Sequence, residues 1–236
     1  MMAQRVVAPE WLDTLAPSDP RAVRSRADLR RINPLMAAPS LLARSLDALL
    51  ARAPDTPLIE LGAGDASLTL RVAQRLSGHW PVTTLGLLDL QPCVSEATLK
   101  GFHALGWDVQ VIEADVLDWL ARPHADSTRR PIIFANLFLH HFEGARLQAL
   151  LAGIADRAQA FLCLEPRRSA PALLGSYLLG AIGCNDVTRH DAVVSVRAGF
   201  AAQELSSCWP HSNDWSLRET SAGLFSHRLE AERQPR

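Results

Sequence analysis

Hydrophobic residues recur along the chain with two periods, and the alternation between them marks its elements. Leu42, Leu46, Leu49 and Leu50 stand at i, i+4, i+7 and i+8. They form one apolar face of a helix that Ser40 would cap and Pro54 would stop. A short apolar run at 57–61 then enters a glycine turn, and Leu68, Val72 and Leu76 share the face of the next helix. The rhythm repeats with strands at 82–89, 108–112, 131–137 and 160–165. Between them lie helices at 92–105, through Trp119, and at 143–158. Five strands separated by helix-length segments predict right-handed crossovers and a parallel sheet covered on both faces.

The rhythm changes at both ends. Residues 1–38 are rich in Pro and Arg and predict irregular structure with a short helix around 21–32. After Glu165 comes an excursion at 166–199, then a helix at 201–208. Strands at 215–220 and 224–230, joined by Ser-Ala-Gly, form an antiparallel pair. The expected fold is therefore α/β, a doubly wound Rossmann-like sheet of seven strands. It is mostly parallel with an antiparallel C-terminal pair, and helices cover both faces. Residues 1–53 form an N-terminal helical cap, and 54–236 a core that carries an insertion at 166–199.

Composition narrows the function. The 236 residues carry 24 Lys+Arg against 25 Asp+Glu, a formal net charge of -1, so nothing favours a polyanionic partner. No nucleic-acid partner is expected. Residues 170–183, the longest mainly apolar stretch, fall short of the roughly 20 residues that span a bilayer. The start, MMAQRVVAPEWLD, lacks the apolar centre of a signal peptide. A cytoplasmic protein without a membrane segment is expected, and monomer and homodimer both fit. Cys93, Cys163, Cys184 and Cys208 form no close pair, which argues against a zinc site or a disulfide framework. No metal is expected.

The sharpest feature is LIELGAGDASLTL, where Glu60 ends the first strand and Gly62 and Gly64 shape the turn. Such a turn lies at the carboxyl edge of the sheet, where ligands bind. Asp89 ends the second strand, 25 residues after Gly64, where a carboxylate can accept from two ribose hydroxyls. Asp115 follows the third strand, within reach of an adenine amino group. The third glycine of a dinucleotide fingerprint is absent, and Glu60 is ill matched to a diphosphate. A ligand with a cationic amino group suits it better, and S-adenosylmethionine has one.

With these residues the chain resembles the class I S-adenosylmethionine-dependent methyltransferases over roughly residues 40–230. The resemblance rests on ELGAGD, LLDLQP, EADVLDW and ANLFLHHF, with Leu164-Glu165-Pro166 near the end of the sheet. It implies Glu60, Gly62 and Gly64 on the methionine moiety, Asp89 on the ribose and Asp115 beside the adenine. Ala63, Leu90, Val116 and Asn136 complete the cofactor set. Ala66 stands where many relatives have a third glycine.

ANLFLHHF lacks the prolines and tyrosine of the amino-methylating enzymes of nucleic acids. Its ending is similar to the small-molecule branch that includes quinone and polyketide methyltransferases. That branch implies a small phenolic or other aromatic acceptor, with O-methylation ahead of C-methylation. His140 or His141 would deprotonate or orient the acceptor, since imidazole titrates near neutrality. In the excursion, Leu173, Leu174, Tyr177, Leu178 and Ile182 form an apolar face able to line an acceptor pocket. Arg189 and His190 could bind a phenolate or carboxylate, with Asp191 orienting the imidazole. Arg30, Arg31 and Asn33 are candidates to close over the cofactor carboxylate. Two other classes stay open: a non-catalytic module on the same fold, and a nicotinamide-dependent oxidoreductase.

Overall fold

The computed structural model describes residues 4–78, 80, 84–122, 130–210 and 212–234. Seven strands, β1 (Leu58–Leu61), β2 (Thr84–Asp89), β3 (Asp108–Glu113), β4 (Ile132–Asn136), β5 (Ala160–Pro166), β6 (Trp215–Ala222) and β7 (Ser226–Arg233), form one sheet. Their order is β3-β2-β1-β4-β5-β7-β6. The first five run parallel, and β7 pairs antiparallel with both β5 and β6. The order reverses between β1 and β4. There the connections leave in opposite directions and a crevice opens at the carboxyl ends of the strands.

The central strands are apolar throughout because both faces are covered. In β4, Ile132 and Phe134 face one layer and Ile133 and Ala135 the other; in β5, Leu162 and Leu164 oppose Phe161 and Cys163. Helices α3 (Ala38–Arg52) and α4 (Ser67–Leu76) cover the first face, and α6 (Val116–Ala121) and α7 (Gly144–Arg157) the second. In α7, Leu147, Leu150, Leu151 and Ile154 are buried at the helical spacing. Phe134 and Phe161 are fully buried, each stabilising the sheet by about 2–3 kcal/mol. The short helix α5 (Glu96–Ala104) begins at Ser95, whose hydroxyl accepts from the Thr98 N–H.

The N-terminal region is more ordered than expected. It holds α1 (Trp11–Thr14) and α2 (Pro20–Leu35), the latter longer than the expected 21–32 helix. Of its buried positions, Ala22, Ser25, Asp28, Ile32 and Asn33, Ile32 alone is large and apolar, so no apolar stripe announces it. They face α9 (Asp186–Ala198) in the excursion, which also contains α8 (Ala170–Leu178). There Thr188 Oγ1 sits 3.0 Å from Ser25 Oγ and 3.2 Å from Asp28 Oδ2. The Asn185 N–H donates to Asp28 Oδ2 at 2.8 Å. A satisfied polar cluster thus joins the chain's beginning to its late excursion.

Other boundaries moved. Helix α3 starts at Ala38 after Ala37, which takes a left-handed conformation, so Ser40 lies inside the first turn. The expected helix at 201–208 is turns and a single 3-10 turn at Ser206–Cys208. The hairpin reverses at Gly223, Leu224 and Phe225 rather than at Ser-Ala-Gly, with Gly223 at φ +78°. Residues 82 and 83 of the expected second strand lie outside the described residues.

Candidate active site

A cavity of about 740 Å³ opens where the sheet order reverses, within the range of small-molecule sites. At one end stand the turns after β1, β2, β3 and β4. At the other are α1, α2, α8 and α9, which extend it past the sheet edge.

At the sheet end, Glu60 is buried and accepts a hydrogen bond from Thr69 Oγ1 at 2.6 Å. Burial, aided by the nearby carboxylates Asp89 and Asp65, pushes Glu60 up to about 8 against the Thr69 hydrogen bond. A cation placed beside it would restore its charge. Gly62 (φ +71°) cannot carry a side chain: a Cβ there would lie 2.3 Å from the Phe138 ring. Gly64 (φ +54°) has nothing within 4 Å of its Cβ position, so the backbone stands open to a ligand. Asp89 ties the turns together, accepting from the Gly64 N–H at 2.8 Å and from the Gln91 N–H at 2.8 Å. Asp115 caps α6, both bonds falling on Oδ1: the Leu117 N–H at 2.7 Å and the Asp118 N–H at 3.3 Å. Ala63, Leu90 and Val116 also line the cavity.

After β4 the chain bends sharply at Leu137, a non-glycine residue at φ +54°, a conformation costing about 1–2 kcal/mol. The bend is held by Glu165 at the end of β5. Its fully buried carboxylate accepts from the Phe138, Leu139 and His140 N–H groups at 3.1, 2.9 and 3.3 Å. The same carboxylate bonds His140 Nδ1 at 2.8 Å. On the other side, His140 Nε2 lies 3.1 Å from Glu10 Oε1, and Ser195 Oγ donates to the same oxygen. Burial opposes the charged ring, but the bonds to Glu10 and Glu165 outweigh it and push His140 up to about 9. Glu10 is also buried, yet the His140 bond holds its carboxyl below the usual range. His141 stacks obliquely on His140 with ring centroids 4.2 Å apart, keeps part of its ring exposed, and sets Nδ1 3.2 Å from Asp13 Oδ2. With both nitrogens of His140 engaged, His141 is the more accessible of the pair.

Glu10 and Asp13 belong to an N-terminal strap stapled across this end. Arg5 donates from Nε to Ala198 O at 2.7 Å and from Nη2 to His140 O and Phe142 O at 3.0 and 2.8 Å, over the Phe200 ring. Asp191 accepts from the Trp11 and Leu12 N–H groups at 2.8 and 2.9 Å. His190 bonds Asp191 through Nδ1 at 2.8 Å and stacks on Trp11 at 3.9 Å between centroids.

Several expected substrate contacts are therefore elsewhere. His190 and Asp191 anchor the strap; Asp191 reaches the cavity and His190 does not. Arg189 is exposed and lies against Gly180. Tyr177, Leu174, Leu178 and Ile182 point away from the cavity, 56%, 60%, 57% and 42% exposed. Small residues of the opposite face, Ala172, Gly175 and Ser176, line it with Leu179, because only they let α8 approach the site closely. Arg30 pairs with Asp65 at 2.6 Å and Arg31 with Asp28 at 3.3 Å. Asn33 and Asn136 both reach the cavity, each with a buried Oδ1 that has no partner among the described residues. Sequence reasoning missed Glu10, Asp13 and the cradling role of Glu165. The one available signal was Glu165 itself, a carboxylate ending an otherwise apolar strand.

These features fit S-adenosylmethionine: a buried carboxylate without a counterion among the described residues, an open glycine turn, a second strand-end carboxylate and an amide oxygen unpartnered among those residues. No protein-family model matches the chain, and no curated protein matches it. Solved structures do. An O-methyltransferase family protein from Burkholderia thailandensis superposes with TM-score 0.59 at 21% identity, covering 92% of this chain and 61% of that one. The CMeT domain of the citrinin polyketide synthase gives 0.55 at 16%, covering 84% and 52%. The methyltransferase domain of bacterial CtHen1 gives 0.54 at 13%, covering 82% and 97%. This chain thus spans only about half to three-fifths of the first two. Sheet order, strand directions and these superpositions agree that the chain has the class I S-adenosylmethionine-dependent methyltransferase fold.

Proposed function

We propose that the protein transfers a methyl group from S-adenosylmethionine to a hydroxyl of a small, largely apolar aromatic acceptor. The observation that carries this reading is the continuity of the cavity. One end offers Glu60, Gly64 and Asp89, and the other offers His141 amid apolar walls.

Glu60 would meet the amino group of the cofactor, Gly62 and Gly64 its methionine portion, Asp89 the ribose hydroxyls and the Asp115 turn the adenine. Asn136 Oδ1 is free to accept from the cofactor at the junction between the two ends. Bound there, the cofactor supplies a methyl group on a positively charged sulfur. The chain's own task is to place the acceptor in line and to relieve it of a proton. Leu12, Leu15, Ile32, Met36, Leu179 and Phe225 make an apolar enclosure for an aromatic body. Phe138 and Phe142, with ring centroids 5.2 Å apart, wall the junction. His141 stands at the polar end, its ring set by Asp13, where a phenolic hydroxyl would lose its proton. His140, locked between two carboxylates, orients this turn and does not exchange protons with the acceptor.

Calorimetric titration with S-adenosylmethionine and with NADH tests the cofactor. Saturable binding of the first is expected, and NADH binding alone would remove the proposal. Incubation with a panel of simple phenols, read by mass spectrometry for the gain of one methylene, tests the acceptor class. Methylation confined to nucleic acid would overturn that part.

A further inference from the structure

Glu10, His140 and His141 each bring a ligand atom to one place, all within 4.8 Å of one another. A cation bonded at about 2.1 Å to each would hold them at most roughly 4.2 Å apart. In a tetrahedral site the spacing is roughly 3.4 Å, so the outermost atoms would draw in by up to about 1.4 Å, within the reach of side-chain rotation. The surroundings share a feature of metal centres, carboxylates behind the rings. His140 Nδ1 rests on Glu165 at 2.8 Å and His141 Nδ1 lies 3.2 Å from Asp13 Oδ2, so each ring has one nitrogen on an outer carboxylate. That is the arrangement that orients metal-bound imidazoles. Glu10 is steadied in turn by the Ser195 hydroxyl. His140 Nε2 and Glu10 Oε1 are hydrogen-bonded across 3.1 Å, so a bound cation would displace the proton between them and take its place.

We infer that Glu10, His140 and His141 form a binding site for a divalent first-row transition cation at the acceptor end of the cavity. Two imidazoles and a carboxylate favour Mn²⁺, Fe²⁺, Co²⁺ or Zn²⁺ over the all-oxygen preference of Mg²⁺ and Ca²⁺. Three protein ligands leave coordination positions toward the cavity, which all three residues line. The site itself stands on geometry alone. Its use in the reaction rests on the methyltransferase reading: a hydroxyl bound to the cation would lose its proton more readily, and His141 would then act as ligand instead of base.

The test is Mn²⁺ binding to the full chain, followed by the loss of the free-ion electron paramagnetic resonance signal, with Zn²⁺ as competitor. One ion per chain is expected. His141→Ala, at a partly exposed ring that the fold tolerates losing, should weaken it about tenfold or more, and Glu10→Gln likewise. Glu165→Gln, an outer-sphere change, should weaken it roughly 10- to 100-fold. His103→Ala and Cys93→Ser, away from the cluster, should leave binding unchanged. Absence of saturable binding, or binding indifferent to His141→Ala and Glu10→Gln in samples that keep their circular dichroism, would overturn the site. S-adenosylmethionine titrated into the same samples separates the two ideas. Cofactor binding without metal removes only the cation site. Metal binding without cofactor binding supports the cation site and removes the methyltransferase reading.

Discussion

The two ends of the cavity are built by different means. At the cofactor end, each polar group stands within a few residues of a strand's carboxyl end, and its hydrogen bonds are short in sequence or run to the adjacent strand. Asp89 bonds Gly64 and Gln91, and Glu60 bonds Thr69. At the acceptor end, one buried chain of contacts joins residues far apart: Ser195 to Glu10, Glu10 to His140, and His140 to Glu165. The first end follows from topology, since any doubly wound sheet brings those turns together. The second exists only once the whole chain has closed. Substitutions should therefore separate ligand binding from stability at the first end and merge the two at the second.

The largest expected effect is at Glu165. Glu165→Ala would leave three N–H groups, two of them buried, without an acceptor and take one of the two acceptors from a buried imidazolium, a loss of about 3–5 kcal/mol in urea unfolding. Asp89→Ala at the cofactor end should cost only about 1 kcal/mol of stability while weakening S-adenosylmethionine roughly 10- to 100-fold. A Glu165→Ala chain as stable as the parent would erase the distinction between the two ends.

This division also governs what was legible in sequence. That Glu60, Gly62, Gly64 and Asp89 stand together at the cavity was legible because motif, spacing and position in the sheet coincide over thirty or so residues. Helix α2 was only partly found, because Ser25, Asp28 and Asn33 face inward where a stripe of leucines would otherwise be sought. The face of α8 was misassigned for a related reason. Hydrophobicity pointed to Leu174, Tyr177 and Leu178, but close approach to the cavity selects Ala172, Gly175 and Ser176. Glu10 was invisible, since nothing local tells a carboxylate near a chain end that its partner lies 130 residues away.

The next effect is on protons rather than on affinity alone. Glu60 is raised to about 8 from 4.5 by burial, so between those values the folded protein holds a proton there that the unfolded chain has released. Stability from this group is therefore full at low pH and lost as pH rises from about 4.5 to about 8. Glu60→Gln should flatten that part of the stability profile and weaken the cofactor. A ligand with a cationic amino group favours the carboxylate, so binding at pH 7 should release a proton. Calorimetry in two buffers of different ionisation enthalpy measures this. Methylthioadenosine, which lacks the amino group, should release none. Equal release by both ligands would detach Glu60 from the amino group.

The smallest effect is local to the strap. Arg5 holds residues 5–14 down through three carbonyl oxygens and the Phe200 ring, yet little of the sheet's apolar core depends on it. Arg5→Ala should change global unfolding by no more than about 1 kcal/mol, because the strap can open without the sheet. Its signature should appear in hydrogen exchange. The Trp11 and Leu12 amides, closed by Asp191, should lose protection, while the Gly64 amide, closed by Asp89, should keep it. Cofactor affinity should be unchanged and the KM for a phenolic acceptor should rise, because Leu12 and His141 line only the acceptor side. If Arg5→Ala weakened the cofactor as much as the acceptor, the two ends would be one cooperative unit, and topology alone would no longer account for the first.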